Sequence, residues 1–226
     1  MNLFYGRWYT PFHTIGFAIT CIILFYAPSN YSHNIALPLP LTTQTLWWKV
    51  FTSNVVHISS YHLWNNCLPF LVLGGLFEAI HGPILSASVV WIGGTTGIFM
   101  EAAWYEKEKE IILLGASGCV YAVIGAYLGH LAVNFKETPF RVPFAICIVV
   151  WLVLSITYTY VSEDVTKIAI IAHIGGAVQG VLVGCVAVRN IRIRPREDVI
   201  RVVSFILSAG LIFSVTCKAA ILPSAS

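Results

Sequence analysis

The sequence predicts an all-α polytopic membrane protein, with a core of six spanning helices followed by a seventh, C-terminal transmembrane helix. Three observations carry this. Of 226 residues, 58% are hydrophobic, and the mean hydropathy is +0.80. Only 10% are charged, against about a quarter in a soluble domain. The apolar residues fall into seven runs separated by turns and short charged segments, most of them near the roughly 20 residues that cross a bilayer. The length leaves room for one membrane domain, residues 1–226, and for no second, soluble one.

Met1–Phe12 is a short polar and aromatic lead. Span 1, about His13–Ala27, is ended by Pro28; it lacks a small-residue cleavage pattern and reads as a retained span. Ser29–Ser60 is the longest hydrophilic connection, and its Trp47, Trp48 and Lys49 suit the membrane interface. Span 2 covers about Tyr61–Ile80. After the turn His81-Gly82-Pro83, span 3 runs to about Ala103. Beyond the charged Glu106–Glu110 loop come span 4, about Ile111–Phe135, span 5, about Val142–Val161, and span 6, about Ile168–Val188. The core is therefore about residues 12–188. A basic linker, 189–201, leads to the extra span, about 202–222.

Seven spans put the termini on opposite sides. With the N-terminus in the cytosol, Arg7, Lys136, Arg141, Arg189, Arg192, Arg194, Arg196 and Arg201 fall inside. Lys49, Lys107, Lys109, Lys167 and Lys218 fall outside. Every arginine is then cytosolic, as the positive-inside bias requires. The arginine-rich linker is a topology determinant on this reading, and no nucleic-acid partner is expected. Cys21, Cys67, Cys119, Cys147, Cys185 and Cys217 all sit in apolar runs without CxxC spacing, which marks small core residues.

Polar groups inside a membrane are costly, so each is a functional candidate. They are His62, Asn65, Asn66 and Glu78 in span 2, Ser117 in span 4, and His173 and Gln179 in span 6. Spans 2, 4 and 6 run in the same direction. Counted from the expected helix starts, Ser117 and His173 both lie roughly 9 Å below the outer surface, in one layer with His62 and Asn66. Ser117, Tyr121, Gly125 and Gly129 share a stripe with a repeat of four. Span 6 answers with Gly176, Gly180 and Gly184, and His173 lies three residues before the first. Small residues at this spacing let membrane helices approach closely, which would bring Ser117 to His173 with Tyr121 beside the ring.

A serine hydroxyl attacks only when a base takes its proton, and histidine suits that role. Asn66, His62 and the Ser117 amide are donors for a developing oxyanion. Glu78 lies too far down span 2 to complete a triad, so a Ser–His dyad is the economical reading. Taken singly, a serine in a small-residue stripe is usually packing glue, and a membrane histidine usually lines a cavity. Their coincidence in one layer favours chemistry. His57 and His62 are five apart and no HExxH stretch occurs, so neither a metal nor another cofactor is expected. A transporter would show matched repeats and a midplane site; neither pattern is visible.

These residues resemble the rhomboid family. WWKVFTSNVVHISSYHLWNN is similar to its first-loop W-R pair followed by H, H and N. LGGLFE resembles its span 2 exit, GASGCVYA its GxSG motif, and AHIGGAVQGVLVG its AHxxGxxxG span 6. The matches cover about Trp47–Val188. The resemblance implies an intramembrane serine protease with Ser117 as nucleophile and His173 as general base. It implies Asn66, His62 and the Ser117 amide at the oxyanion, Gly115 opening the GxSG motif, and Tyr121 packing on His173. It further implies single-pass transmembrane substrates, cut near the outer face of the bilayer. The extra span after the core looks like the animal secretase type, hence the secretory pathway or plasma membrane. Two departures are visible. Trp48-Lys49 replaces W-R, which loses a bidentate fork, and Pro69 is expected to kink span 2. The alternative function is non-proteolytic client binding, as in family members that lack the serine or histidine.

Overall fold

The computed structural model describes residues 9–28, 34–39, 41, 47–104, 111–136, 138, 142–143, 145–146, 148–150, 153, 170–187 and 195–221. The lead Met1–Trp8, the Glu106–Glu110 loop, most of span 5 and its exit through Lys167, and linker residues 188–194 lie outside the described residues.

Helix α1 is Phe12–Tyr26. Its start is held from a distance. Glu78, fully buried on the second span, accepts from the His13 and Thr14 N–H groups at 2.9 and 2.7 Å and from the Thr14 hydroxyl at 2.7 Å. A carboxylate there satisfies first-turn donors that have no partner within the helix. After α1, strand β1, Leu37–Leu39, leads to the short helix α2, Lys49–Thr52, and a 3₁₀ turn over Ser53–Val55. Lys49 Nζ lies 5.8 Å from the Trp48 ring centroid, within cation–π range.

Helix α3 is one rod, Ser60–His81. Ser59 caps it, its hydroxyl accepting from the His62 N–H at 3.1 Å. Pro69 has no N–H to give the ladder. The structure absorbs this in a wide π turn over Phe70–Gly74 before regular helix resumes at Gly75. The expected kink therefore takes the form of one widened turn. Gly82, at φ +88°, and Pro83, the first residue of α4, Pro83–Trp104, make the next turn.

Strand β2, Ile111–Leu113, pairs antiparallel with β1, Leu37 opposite Leu113 and Leu39 opposite Ile111. Leu37, Leu39 and Leu113 are buried with Val50, Ile98 and Ala102, so this ribbon is pinned against α4. Helix α5, Ser117–Asn134, is the axis of the molecule, and most of its residues are buried. Tyr127 ties it to α3 by donating from its hydroxyl to the Leu73 carbonyl at 2.9 Å, inside the π turn. Helix α6, Ile170–Ala187, packs along α5 and α4.

The last helix, α7, is Pro195–Ile221. It starts before the expected position 202, because a proline's fixed φ suits the first helical residue. It leans on α6 and α4. Arg201 donates to the Val186 carbonyl at 3.1 Å, and Gln179 to the Ser208 hydroxyl at 2.6 Å. Among the described residues, Ser60–His81, Pro83–Trp104 and Ile170–Ala187 are long and apolar enough to cross a membrane. Phe12–Tyr26 and Ile200–Thr216 are shorter apolar helices. Cys21, Cys67, Cys119 and Cys185 are buried free thiols.

Candidate active site

Four pieces of chain meet at one end of the bundle: the start of α5, the start of α6, the first turn of α3, and the segment Ser53–His57. The sequence places Ser117 a turn and a half inside its span. The structure corrects this. Ile111–Leu113 is strand β2, and the helix begins at Ser117 itself. Adjacent isoleucines favour extended backbone, and Gly115 at φ +119° cannot continue a helix. The depth of roughly 9 Å counted along a helix from Ile111 therefore does not apply.

The correction matters chemically. The first N–H groups of a helix have no intrahelical acceptor. The Ser117 amide is one of these, at the positive end of the α5 dipole, where developing negative charge is favoured. The loop ahead of it is clamped. The Gly115 N–H donates to the Ser53 carbonyl at 2.9 Å, and the Ala116 N–H to His57 Nε2 at 3.3 Å. A Cβ on Gly115 would fall 2.6 Å from His62 Cε1, so no side chain fits between that residue and the imidazole.

Ser117 Oγ and His173 Nε2 are 2.7 Å apart, although 56 residues separate them. With the ring proton on Nδ1, Nε2 accepts from the hydroxyl, as a general base must. Tyr121, one turn below Ser117, stacks on the His173 ring with centroids 4.5 Å apart and 10° between planes. Ser117 and His173 both keep partial exposure.

The glycine stripes bring this about. A Cβ at Gly125 would overlap the Ala177 carbonyl, and one at Gly180 the Ala122 carbonyl. One at Gly184 would sit 2.7 Å from the Ala126 oxygen. Helices α5 and α6 thus touch backbone to backbone, as the spacing predicts.

His62 and Asn66 lie one turn apart on α3. Asn66 is buried, and its Nδ2 donates to the His62 carbonyl at 3.0 Å. A side-chain amide has two N–H donors, and this bond uses one. The His57 and His62 rings are 5.1 Å apart at 67°. Sequence reasoning missed what Ser53, Asn54 and His57 do. His57 stands in the motif as its first histidine, but spacing does not reveal that it accepts from the Ala116 N–H ahead of Ser117. Burial, with His62 adding to it, pushes the His57 imidazole down to about 3. It therefore stays neutral and able to accept. Asn54 donates to the Val50 carbonyl at 2.9 Å and accepts from Cys119 Sγ at 3.4 Å, which ties the same segment to α5.

The rhomboid domain model matches residues 44–190, well over half of the chain and all of the pieces just described. The chain belongs to the rhomboid family. It is an integral membrane protein of that all-α fold.

Rhomboid-related protein 1 of Caenorhabditis elegans is 28% identical over 169 residues, 71% of this chain and 45% of that protein. Inactive rhomboid-related protein 2 of the same organism is 24% identical over 139 residues, 60% of this chain and 39% of the relative. Rhomboid protease GluP of Bacillus subtilis is 26% identical over 140 residues, 62% of this chain and 26% of the relative. This rhomboid chain spans less than half the length of each of these relatives. By their names, they include a protease and an inactive member.

Proposed function

We propose that this chain is an intramembrane serine endopeptidase. The observation that carries the reading is the 2.7 Å Ser117–His173 contact, with Tyr121 stacked on the imidazole. Ser117 is the nucleophile and His173 the general base, which returns the proton to the leaving amine. The tetrahedral oxyanion is held by the Ser117 amide, with Asn66 and His62 as side-chain donors. Gly115 keeps room for the His62 ring. The second carbonyl attack is by water, which reaches the partly exposed dyad. The geometry needs neither metal nor cofactor to balance either step.

The substrates are single-pass transmembrane proteins in the same bilayer, cut near its outer face to release ectodomains. A helix hides its carbonyls in its own hydrogen bonds, so the segment must unwind to be cut. It enters laterally between span 2 and span 5. The outward Trp64, Leu68 and Val72 of α3, spaced by four and exposed, support an approach along that helix. The N-terminus lies in the cytosol, the compartment is the secretory pathway or plasma membrane, and the chain acts as one membrane domain.

The test is co-expression with a tagged single-span substrate, comparing wild type with Ser117→Ala. Cleavage by the wild type alone is expected; equal cleavage by both refutes the proposal. A fluorophosphonate probe asks the same of the nucleophile without a substrate, and labelling that survives Ser117→Ala places it elsewhere. A binding-only role is the alternative, since one relative is named as inactive. It predicts altered client trafficking without cleavage, unchanged by Ser117→Ala.

A further inference from the structure

Glu101 is an acidic residue inside a membrane-spanning helix, where acids are costly and need a partner. The dyad itself does not use it. It stands on α4 in the stripe Gly93, Gly97, Glu101, which repeats every four residues. The two glycines set how closely α4 lies to its neighbours. A Cβ at Gly93 would overlap Ala122 of α5, and one at Gly97 would overlap the Ala172 carbonyl of α6. With the backbones that close, the Glu101 carboxyl reaches the start of α6. Its Oε2 accepts from the Ala172 N–H at 3.0 Å, and the Ile171 N–H also donates to the carboxyl. These are first-turn amides, which a helix cannot satisfy itself, and a carboxylate is their strongest acceptor. Ala172 is the residue immediately before His173.

The glycine seam leaves one thing unsettled, and Glu101 supplies it. A stripe of small residues fixes the separation of two helices more closely than their fine axial position. Sliding α6 by one turn along α5 would bring Gly176 to the place of Gly180 and move His173 about 5.4 Å, but it would also set Ala172 at the place of Gly176, where a Cβ overlaps the Gly118 carbonyl. Packing therefore excludes a full-turn slip and leaves shifts of about an ångström in the height of His173, the scale that matters for the pair, to be held by something else. A pair of hydrogen bonds from a third helix to the first turn of α6 does pin it.

We propose that Glu101 is a positioning residue for the Ser117–His173 pair: by holding the Ile171 and Ala172 amides it fixes the axial register of α6, so that His173 Nε2 stays within hydrogen-bond reach of Ser117 Oγ. It touches neither substrate nor the reacting atoms. This inference rests on the protease reading.

The test uses the full chain in bilayer discs and two readouts. One is the rate of fluorophosphonate labelling per folded molecule; the other is hydrogen exchange at the Ile171 and Ala172 amides. Glu101→Ala speeds exchange at both amides and slows labelling by about a hundred-fold, the scale set by misplacing a catalytic group by an ångström. Glu101→Gln keeps a carbonyl acceptor at full reach and recovers most of the rate. Glu101→Asp keeps the charge but is one methylene short, and labels more slowly than the glutamine variant. If the alanine variant does not fold, the Gln-against-Asp order decides. Labelling of Glu101→Ala at the wild-type rate, with exchange raised, overturns the proposal, because the anchor is then structural only. Glu101→Gln no faster than Glu101→Asp overturns it too, because charge and not reach is then what matters. A wild type that does not label, in a protein whose amides still loosen in Glu101→Ala, overturns the protease reading and upholds the anchor.

Discussion

Gly180→Ala tests whether backbone contact between α5 and α6 sets the dyad. A Cβ at Gly180 would overlap the Ala122 carbonyl oxygen and also lie 2.7 Å from the Ala122 carbonyl carbon. Ordinary contact to such atoms begins near 3.4 Å, so the helices must separate by on the order of 1 Å at that level, since both partners are backbone and neither can rotate away. Alanine gains up to about 1 kcal/mol of helix propensity, but overpacking a fitted interface costs about 1–3 kcal/mol. The net change in stability is therefore small, while the change in geometry is not. Gly180 lies two turns from His173, roughly 10 Å along the axis. A comparable opening there stretches the Ser117–His173 contact from 2.7 Å beyond hydrogen-bonding distance, for a loss of about a hundred-fold in rate. Labelling by a fluorophosphonate and substrate cleavage, both normalised to folded protein, should fall together while the melting temperature barely moves. A Gly180→Ala protein with wild-type labelling would refute the reasoning, because the seam would then be compliant and the dyad set by something else.

Other substitutions separate the parts. Tyr121→Ala removes the stacked face from His173 and should slow labelling by about ten-fold, the scale of an aromatic pair; Tyr121→Phe, which keeps the face, should lose less. Glu78→Ala strands three donors at the start of α1 and should cost about 3 kcal/mol or more of stability in detergent melts, with labelling per folded molecule unchanged. His57 gives a pH test. Its folded value lies near 3 and its unfolded value near 6.5, so the unfolded chain binds the proton first. Stability is unaffected above about pH 6.5 and falls by about 1.4 kcal/mol per unit as pH drops below it. His57→Gln, which keeps an acceptor for the Ala116 N–H, should flatten that slope in melts between pH 6.5 and 5.

The parts of the site that could be read from the sequence are those with a helical period. Ser117, Tyr121 and the glycines of α5 repeat by four, as do the glycines of α6, and a polar group among them is conspicuous because a membrane tolerates few. The meeting of Ser117 with His173 follows from those two patterns. What could not be read has no period. Ile111-Ile112-Leu113 is a short apolar run whose isoleucines lean toward a strand, but periodicity cannot tell it from the first turn of a buried helix, and its pairing with Leu37–Leu39 decides. The caps on α1 and α6 come from Glu78 and Glu101, more than sixty residues away in each case, on helices whose own patterns give no sign of the reach. Val50–His57 reads as part of a hydrophilic connection, yet Ser53, Asn54 and His57 are buried. Their polarity is spent on carbonyls, a thiol and the amide of Ala116 rather than on water.

The start of α5 at Ser117 gives this serine a setting unlike that of a packing serine. In the middle of a membrane helix a serine hydroxyl turns back on the carbonyl four residues before it, and its amide is locked in the helix ladder. Such a serine is sheltered and has no amide to offer an oxyanion. Ending strand β2 at Leu113 and turning through Gly115 removes both constraints. The hydroxyl is left to His173, and the amide belongs to the unsatisfied first turn. The same turn needs its own N–H groups satisfied, and Ser53 and His57 take those of Gly115 and Ala116, which leaves the Ser117 amide as the next donor along the chain. The short ribbon, the glycine with positive φ and the buried His57 therefore act as one device. It places the Ser117 hydroxyl at a helix N-terminus, beside the His173 imidazole that the glycine seam brings within 2.7 Å.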